Sequence, residues 1–341
     1  MSNANILLDV QDLKTFFNTD EGIARAVNGV SFHINRGEIL GVVGESGCGK
    51  SVTALSMLQL IPRPPGKIVG GKILYYERQD GSQPMDIVSL SPHSRKMRDI
   101  RGSQISMIFQ EPMTSFSPFY TIGQQIVEAL QLHESLDRRQ AKAKAVEMLA
   151  MVGISEPKLR SDEYPHKFSG GMLQRAMIAL ALSCNPQLLI ADEPTTALDV
   201  TIEAQILGLL RDLQKDLGLS IMMITHDLGV IADIAERIIV MYAGKVVESA
   251  DVDSIFYRPK HPYTQGLLKL VPKIGTKGRL VPIPGNVPRL TDDLKGCYFS
   301  QRCPHAMEIC RTDDPPNILI DTDHETSCWL YKEHIKEDSL V

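Results

Sequence analysis

Short apolar runs, separated by glycine-rich or polar breaks, organise the first two thirds of the chain. Residues 38–43 (Glu-Ile-Leu-Gly-Val-Val) are short, branched and apolar, which predicts a buried strand. A glycine cluster follows, and 51–60 has the pattern of a helix that Pro62 ends. Further strands are predicted at 105–109, 187–191 and 220–225, each followed by polar punctuation. Helical patterns fall between them, at 121–133, 137–151, 169–183, 199–217 and 228–237. Strands alternating with helices predict an α/β fold with a parallel, doubly wound sheet. The stretch 121–182 is nearly all helix and reads as an insertion within that body. Residues 238–248 carry Ala243-Gly244 between two apolar runs and predict a closing hairpin. Beyond Asp251 prolines recur at Pro259, Pro262, Pro272, Pro282, Pro284 and Pro288, so the chain there wraps or links rather than building a second large core.

Composition narrows the class. The 341 residues correspond to a little over two domains at roughly 150 residues each. Hydrophobic residues make up 43% and charged residues 23%, which excludes wholesale disorder. A net charge of −5 argues against a nucleic-acid footprint, so no nucleic-acid partner is expected. No uncharged apolar run reaches the length of a membrane span, and residues 1–10 lack a basic-then-apolar signal, so a cytoplasmic chain is expected.

The strand at 38–43 runs into Gly44-Glu45-Ser46-Gly47-Cys48-Gly49-Lys50-Ser51, which fits G-x-x-x-x-G-K-[ST] between a strand and a helix. Glycines let backbone N–H groups turn inward around a β-phosphate, and the helix N-terminus adds partial positive charge. Lys50 is expected to reach the β/γ-phosphates and Ser51 to ligate Mg²⁺, with Val52 completing the nucleotide-contacting stretch. ATP and Mg²⁺ are therefore the expected ligands. Cys48 stands near the helix N-terminus and Lys50, conditions that lower a thiol pKa. That predicts inactivation by alkylation, with bound ATP protecting. A second element, Leu188-Leu-Ile-Ala-Asp192-Glu193, is an apolar strand ending in two carboxylates. Asp192 is expected to hold Mg²⁺ and Glu193 to act as general base toward the attacking water.

Between these motifs, Phe168-Ser169-Gly170-Gly171-Met172 makes a second anion-binding helix start, which one phosphate group does not need unless a dimer shares it. Ser169-Gly170-Gly171 resembles the signature motif of the ATP-binding cassette family, with Phe168 and Met172 departing from the usual Leu and Gln. The remaining family elements fall in order. Gln110 matches the Q-loop, with a role in Mg²⁺ binding and catalysis; Ala197-Leu198-Asp199 matches the D-loop; His226 matches the catalytic switch histidine. Phe17 matches the aromatic that stacks on adenine, although Phe16 competes for that role. The resemblance covers about residues 6–250. It implies a phosphate-loop NTPase cassette over 1–255, with a RecA-like core, a β-subdomain and a helical subdomain at about 111–182. It also implies head-to-tail cassettes, each ATP lying between one chain's phosphate loop and the other's Ser-Gly-Gly.

Cys297, Cys303, Cys310 and Cys328 are separated by five, six and seventeen residues. Disulfides are disfavoured without a targeting segment. A zinc site, a 4Fe–4S cluster and unliganded buried thiols all remain open on spacing. The segments 259–268, Ile283-Pro284-Gly285 and 296–310 resemble the C-terminal extension of oligopeptide/dipeptide-permease ATPases, here 256–341. In that branch the four cysteines can hold an iron–sulfur cluster, which favours it over zinc. Details of 303–310 resemble oligopeptide more than dipeptide members. The resemblance implies an ATPase energising a peptide importer from the cytoplasmic face of the bacterial inner membrane. Its partners would be two transmembrane permease subunits, a second and different cassette, and an extracytoplasmic solute-binding protein. Import of nickel or another small solute is the alternative, followed by a soluble non-transport cassette ATPase.

Overall fold

The computed structural model describes residues 5–78, 82–196, 198–271, 282–292 and 294–334, apart from the side chain of Met113. Ala197 of the expected D-loop and Pro272 of the proline series lie outside them. The chain divides into two compact units: Met1–His33 with Leu40–Val88 and Thr225–Val341, and Ile34–Ile39 with Ser89–Ile224.

In the first unit, four strands form a sheet in the order Gly22–Asn35, Ile6–Thr19, Gly66–Tyr75, Met85–Asp86. Ile6–Thr19 runs antiparallel to Gly66–Tyr75, with the register breaking around Lys14. Its buried Leu8 and Val10 alternate with half-buried Asp9 and exposed Gln11, the alternation of a strand with one wet face, which is lost where the register breaks. The predicted strand at 38–43 is Ile39–Val43, whose Leu40–Val43 pair in parallel with Arg237–Val240 of the strand Arg237–Tyr242.

The hairpin forms as expected: Arg237–Tyr242 returns as Lys245–Asp251 through Ala243 (φ 45) and Gly244 (φ 83). Two left-handed residues in sequence make the tight turn that matches strand twist. The expected helix at 228–237 stops earlier, at Ile234, because Ala235 turns extended and the branched run Arg237–Tyr242 enters the sheet. The extension then adds His324–Thr326 antiparallel to Lys245–Asp251, and Ile318–Asp321 beside it. Lys260 and His261 N–H groups donate to Glu248 carboxylate oxygens at 2.6 and 2.9 Å, and His324 Nε2 lies 2.8 Å from the same carboxylate.

The second unit holds three parallel strands. Ile105–Ile108 pairs with Leu188–Asp192, which pairs with Ser220–Ile224, in the α/β pattern predicted. The helical insertion comprises Ile122–His133, Arg138–Met151, Pro157–Ser161 and Gly170–Leu182. Thr121 and Asp137 cap the first two, each in a reciprocal box with a glutamine three residues on. Their apolar sides, including Ile126, Leu130, Ala145 and Leu149, are fully buried.

Candidate functional site

Phosphate-loop geometry follows from its glycines. Gly44, Gly47 and Gly49 have φ of 155°, 78° and 102°, and the last caps the helix Lys50–Met57. A Cβ on Gly44 would lie 2.2 Å from Met241 O, and one on Gly49 would lie 2.3 Å from Ala26 O, so both positions exclude any side chain. The loop is bound to the hairpin turn as well, because Gly244 N–H donates to Cys48 O at 2.9 Å. Lys50 is 6% exposed, and its Nζ donates to Gly44 O at 2.7 Å and Glu45 O at 3.2 Å. Ser46 and Gly47 are exposed, and Ser51 and Val52 half-buried at the start of the helix.

The lowered thiol pKa expected for Cys48 is overturned. Its thiol is 1% exposed, and burial raises its pKa although Lys50 pulls the other way. The helix N-terminus and Lys50 were the right neighbours, but desolvation outweighs them.

Phe17, on the strand Ile6–Thr19, is half-buried and lies against Gly66, whose added Cβ would sit 2.7 Å from the Phe17 ring. Phe16 is equally half-buried. His226 is exposed between Ser220–Ile224 and the helix Leu228–Ile234, which Asp227 caps through Gly229 N–H at 2.7 Å.

In the second unit the parallel pairing of Ile105–Ile108 with Leu188–Ala191 brings Gln110 and the two carboxylates to one sheet end. Asp192 is 5% exposed. Glu193 has φ of 47°, a left-handed conformation unusual for a side chain of its size. It is held by its N–H donating to Ile224 O at 2.8 Å, while its carboxylate Oε2 accepts from Gln110 Nε2 and Thr196 Oγ1, both at 2.9 Å. Strain of this kind persists only where neighbours fix it, and it concentrates at sites of chemistry.

Ser169 caps Gly170–Leu182 through Met172 N–H, and Ser169 and Gly170 are exposed. Gly171 faces Ile202, where a Cβ would come within 2.8 Å, and Gly170 faces Leu198. Asp199 caps the helix Val200–Leu217 through Thr201 and Ile202 N–H. The signature turn and the Leu198-Asp199 turn are therefore packed together.

All six cysteines are free thiols, and among the described residues no group of three or more Cys, His, Asp or Glu has metal-binding geometry. The closed four-cysteine site expected from the resemblance is thus not drawn together. Cys297, Cys303 and Cys328 each accept a backbone hydrogen bond from the residue two positions on: Phe299, His305 and Leu330. Burial pushes Cys297 to about 11 and Cys328 to about 12. Gly296 (φ 66) allows Cys297 N–H to reach Cys310 O at 2.8 Å.

Sequence reasoning missed Thr196, Tyr263 and Arg302. The first lies three residues from Glu193 and could have been found by local spacing. The other two reach Glu45 from more than two hundred residues away, as Tyr263 Oη accepting its N–H at 2.9 Å and Arg302 pairing its carboxylate at 2.7 Å.

Residues 27–196 match the ABC transporter family, and residues 247–310 match the C-terminal region of the oligopeptide/dipeptide transporter family. The chain is 52% identical to a probable peptide ABC transporter ATP-binding protein of Sinorhizobium fredii, over 97% of this chain and 96% of that one. It is 50% identical to the oligopeptide transport ATP-binding protein OppD of Bacillus subtilis, over 95% of this chain and 88% of that one. Among solved structures, the dimeric post-hydrolysis state of the ATP-binding cassette MJ0796 bound to ADP and Pi is similar at a TM-score of 0.63 and 26% identity. That likeness covers 72% of this chain and 99% of the other. The glycine-shaped loop, the strained carboxylate and the paired signature turn thus sit in an α/β cassette of known kind, and the chain belongs to the ABC transporter ATP-binding proteins of the oligopeptide/dipeptide transporter family.

Proposed function

We propose that this chain hydrolyses ATP to drive peptide import, oligopeptides in preference to dipeptides, as one subunit of a membrane-bound transporter. The relatives named for peptide and oligopeptide transport span nearly the whole chain, extension included, which supports this reading. Phe17 would stack on adenine. Gly44–Ser51 and Val52 would bind the phosphates through backbone N–H groups and the Lys50 ammonium. Ser51, Gln110 and Asp192 would hold Mg²⁺, which neutralises charge on the β- and γ-phosphates. His226 would contact the γ-phosphate, and Asp199 the facing cassette. Ser169-Gly170-Gly171 would present its helix start to the ATP of a second, different cassette chain.

The observation that carries the catalytic assignment is Glu193, held left-handed with its carboxylate oriented by Gln110 and Thr196. A carboxylate fixed in this way can take a proton from an attacking water without first reorganising. Glu193→Gln should lower turnover by about 10²–10⁴ while ATP binding is retained. Hydrolysis at the parental rate in the assembled transporter would remove Glu193 from the role.

No helix among the described residues is long and apolar enough to cross a membrane. A groove of about 710 Å³ in the helical insertion, lined by Tyr120, Gln124, Val127, Leu132 and Arg138, would receive a segment of one of the two permease subunits. Phe119 and Leu132 are 82% and 73% exposed beside it, apolar surface that contact would cover. The complex would include an extracytoplasmic solute-binding protein, with this chain on the cytoplasmic face.

For the extension we infer a 4Fe–4S cluster held by Cys297, Cys303, Cys310 and Cys328, with zinc as the alternative. The likeness of residues 247–310 to the C-terminal region of the oligopeptide/dipeptide transporter family supports this reading, while the four thiols do not form a metal-binding group in the structure as it stands. Bound there, the group would cross-link a segment with few apolar residues of its own.

A further inference from the structure

Glu45 is the point where the cysteine-bearing extension meets the phosphate loop. Arg302 lies between Cys297 and Cys303 in sequence, its side chain only 4% exposed. Its fork grips the Glu45 carboxylate with two bonds, Nη1 to Oε2 at 2.7 Å and Nη2 to Oε1 at 3.0 Å. The remaining donors are used too: Nε to Pro284 O, Nη2 to Ile283 O, and Nη1 to Tyr242 Oη. All five N–H groups of the guanidinium are therefore satisfied, which fixes its plane. Tyr242, Tyr263 and Phe299 pack around it with ring centroids 4.6–5.4 Å apart. Tyr263 Oη accepts the Glu45 N–H.

The other side of Glu45 faces the loop. Its carbonyl accepts from Lys50 Nζ at 3.2 Å and from Cys48 N–H at 3.2 Å. One residue thus connects the extension's arginine to the ammonium assigned to the phosphates. We propose that Arg302, with Tyr263, is a positioning residue for nucleotide binding, so that the extension sets the affinity of this cassette for ATP. A position occupied by an ordinary loop residue in the phosphate-loop motif has here become a strut. The inference rests on the reading of Gly44–Ser51 as the phosphate cradle.

The test is a double-mutant cycle in the full-length chain, titrated with a fluorescent ATP analogue and Mg²⁺. Arg302→Met and Glu45→Met should each weaken binding by about tenfold, the loss expected when one charge-assisted pair is broken. The double variant should bind no more weakly than either single one. In the assembled transporter, KM for ATP should rise while kcat changes less than KM does. Unchanged affinity in both single variants, or losses that multiply in the double variant, would overturn the proposal. Should Arg302→Met fail to fold, Arg302→Lys keeps the charge but not the fork and should show the same coupling to residue 45. Lys50→Ala separates the two readings. If it abolishes binding while the cycle shows no effect, the strut fails alone; if it leaves binding intact, the phosphate-cradle reading itself fails.

Discussion

Glu193 and Cys48 show how far a single residue's role follows from its neighbours. Glu193 adopts a backbone conformation that costs free energy, and three hydrogen bonds hold it there. Cys48 has neighbours that favour a thiolate, yet its 1% exposure raises the pKa instead. Iodoacetamide should therefore leave Cys48 unmodified in the folded, nucleotide-free chain at neutral pH and label it after unfolding. Rapid modification of native Cys48, read by peptide mass spectrometry, would contradict the burial. The phosphate loop was legible in the sequence because its chemistry is written in eight consecutive residues. The burial of Cys48 was not, since it depends on how the loop folds: the thiol lies against Gly44, and the hairpin's Gly244 N–H holds the Cys48 carbonyl.

At the scale of elements, the joint between hairpin and extension carries a buried titratable group. His261 Nδ1 accepts the Tyr263 N–H at 3.1 Å, so its proton sits on Nε2, which is buried without a partner among the described residues. Burial lowers its pKa from 6.5 to about 4, opposed by Glu248. Between those values the unfolded chain binds a proton that the folded chain does not, so stability is lost as pH falls through this window. The loss reaches about 3 kcal/mol near the lower end. His324 and Glu248 face the same joint, so the measurement must isolate His261. Thermal melts of the parent and of His261→Gln should converge as pH falls from 6.5 toward 4, and a constant gap would refute the assignment. Apolar runs revealed the central strands and the hairpin. The strands Ile6–Thr19, Gly22–Asn35, Ile318–Asp321 and His324–Thr326 were not read, because half-wet or very short strands leave no continuous apolar run.

Across the whole molecule, curated relatives align with 95–98% of the chain, so cassette and extension recur as one unit. The family resemblance was legible because its motifs are local and ordered. The attachment of the extension was not, since it is made by contacts such as Arg302 with Glu45, 257 residues apart. Metal analysis of the anaerobically purified full chain tests the proposed cluster: brown protein containing iron and sulfide is expected, and colourless protein containing zinc would overturn it. The two short strands of the extension have one more effect. Glu248 and Ser249 pair with Thr326 and Glu325, so the open side of the hairpin strand is occupied by the chain itself. An uncovered strand side offers its N–H and C=O groups to any other polypeptide. By pairing there, the last described strands move this edge of the sheet out to Ile318–Asp321, whose four residues offer a partner a shorter row than the seven of Lys245–Asp251.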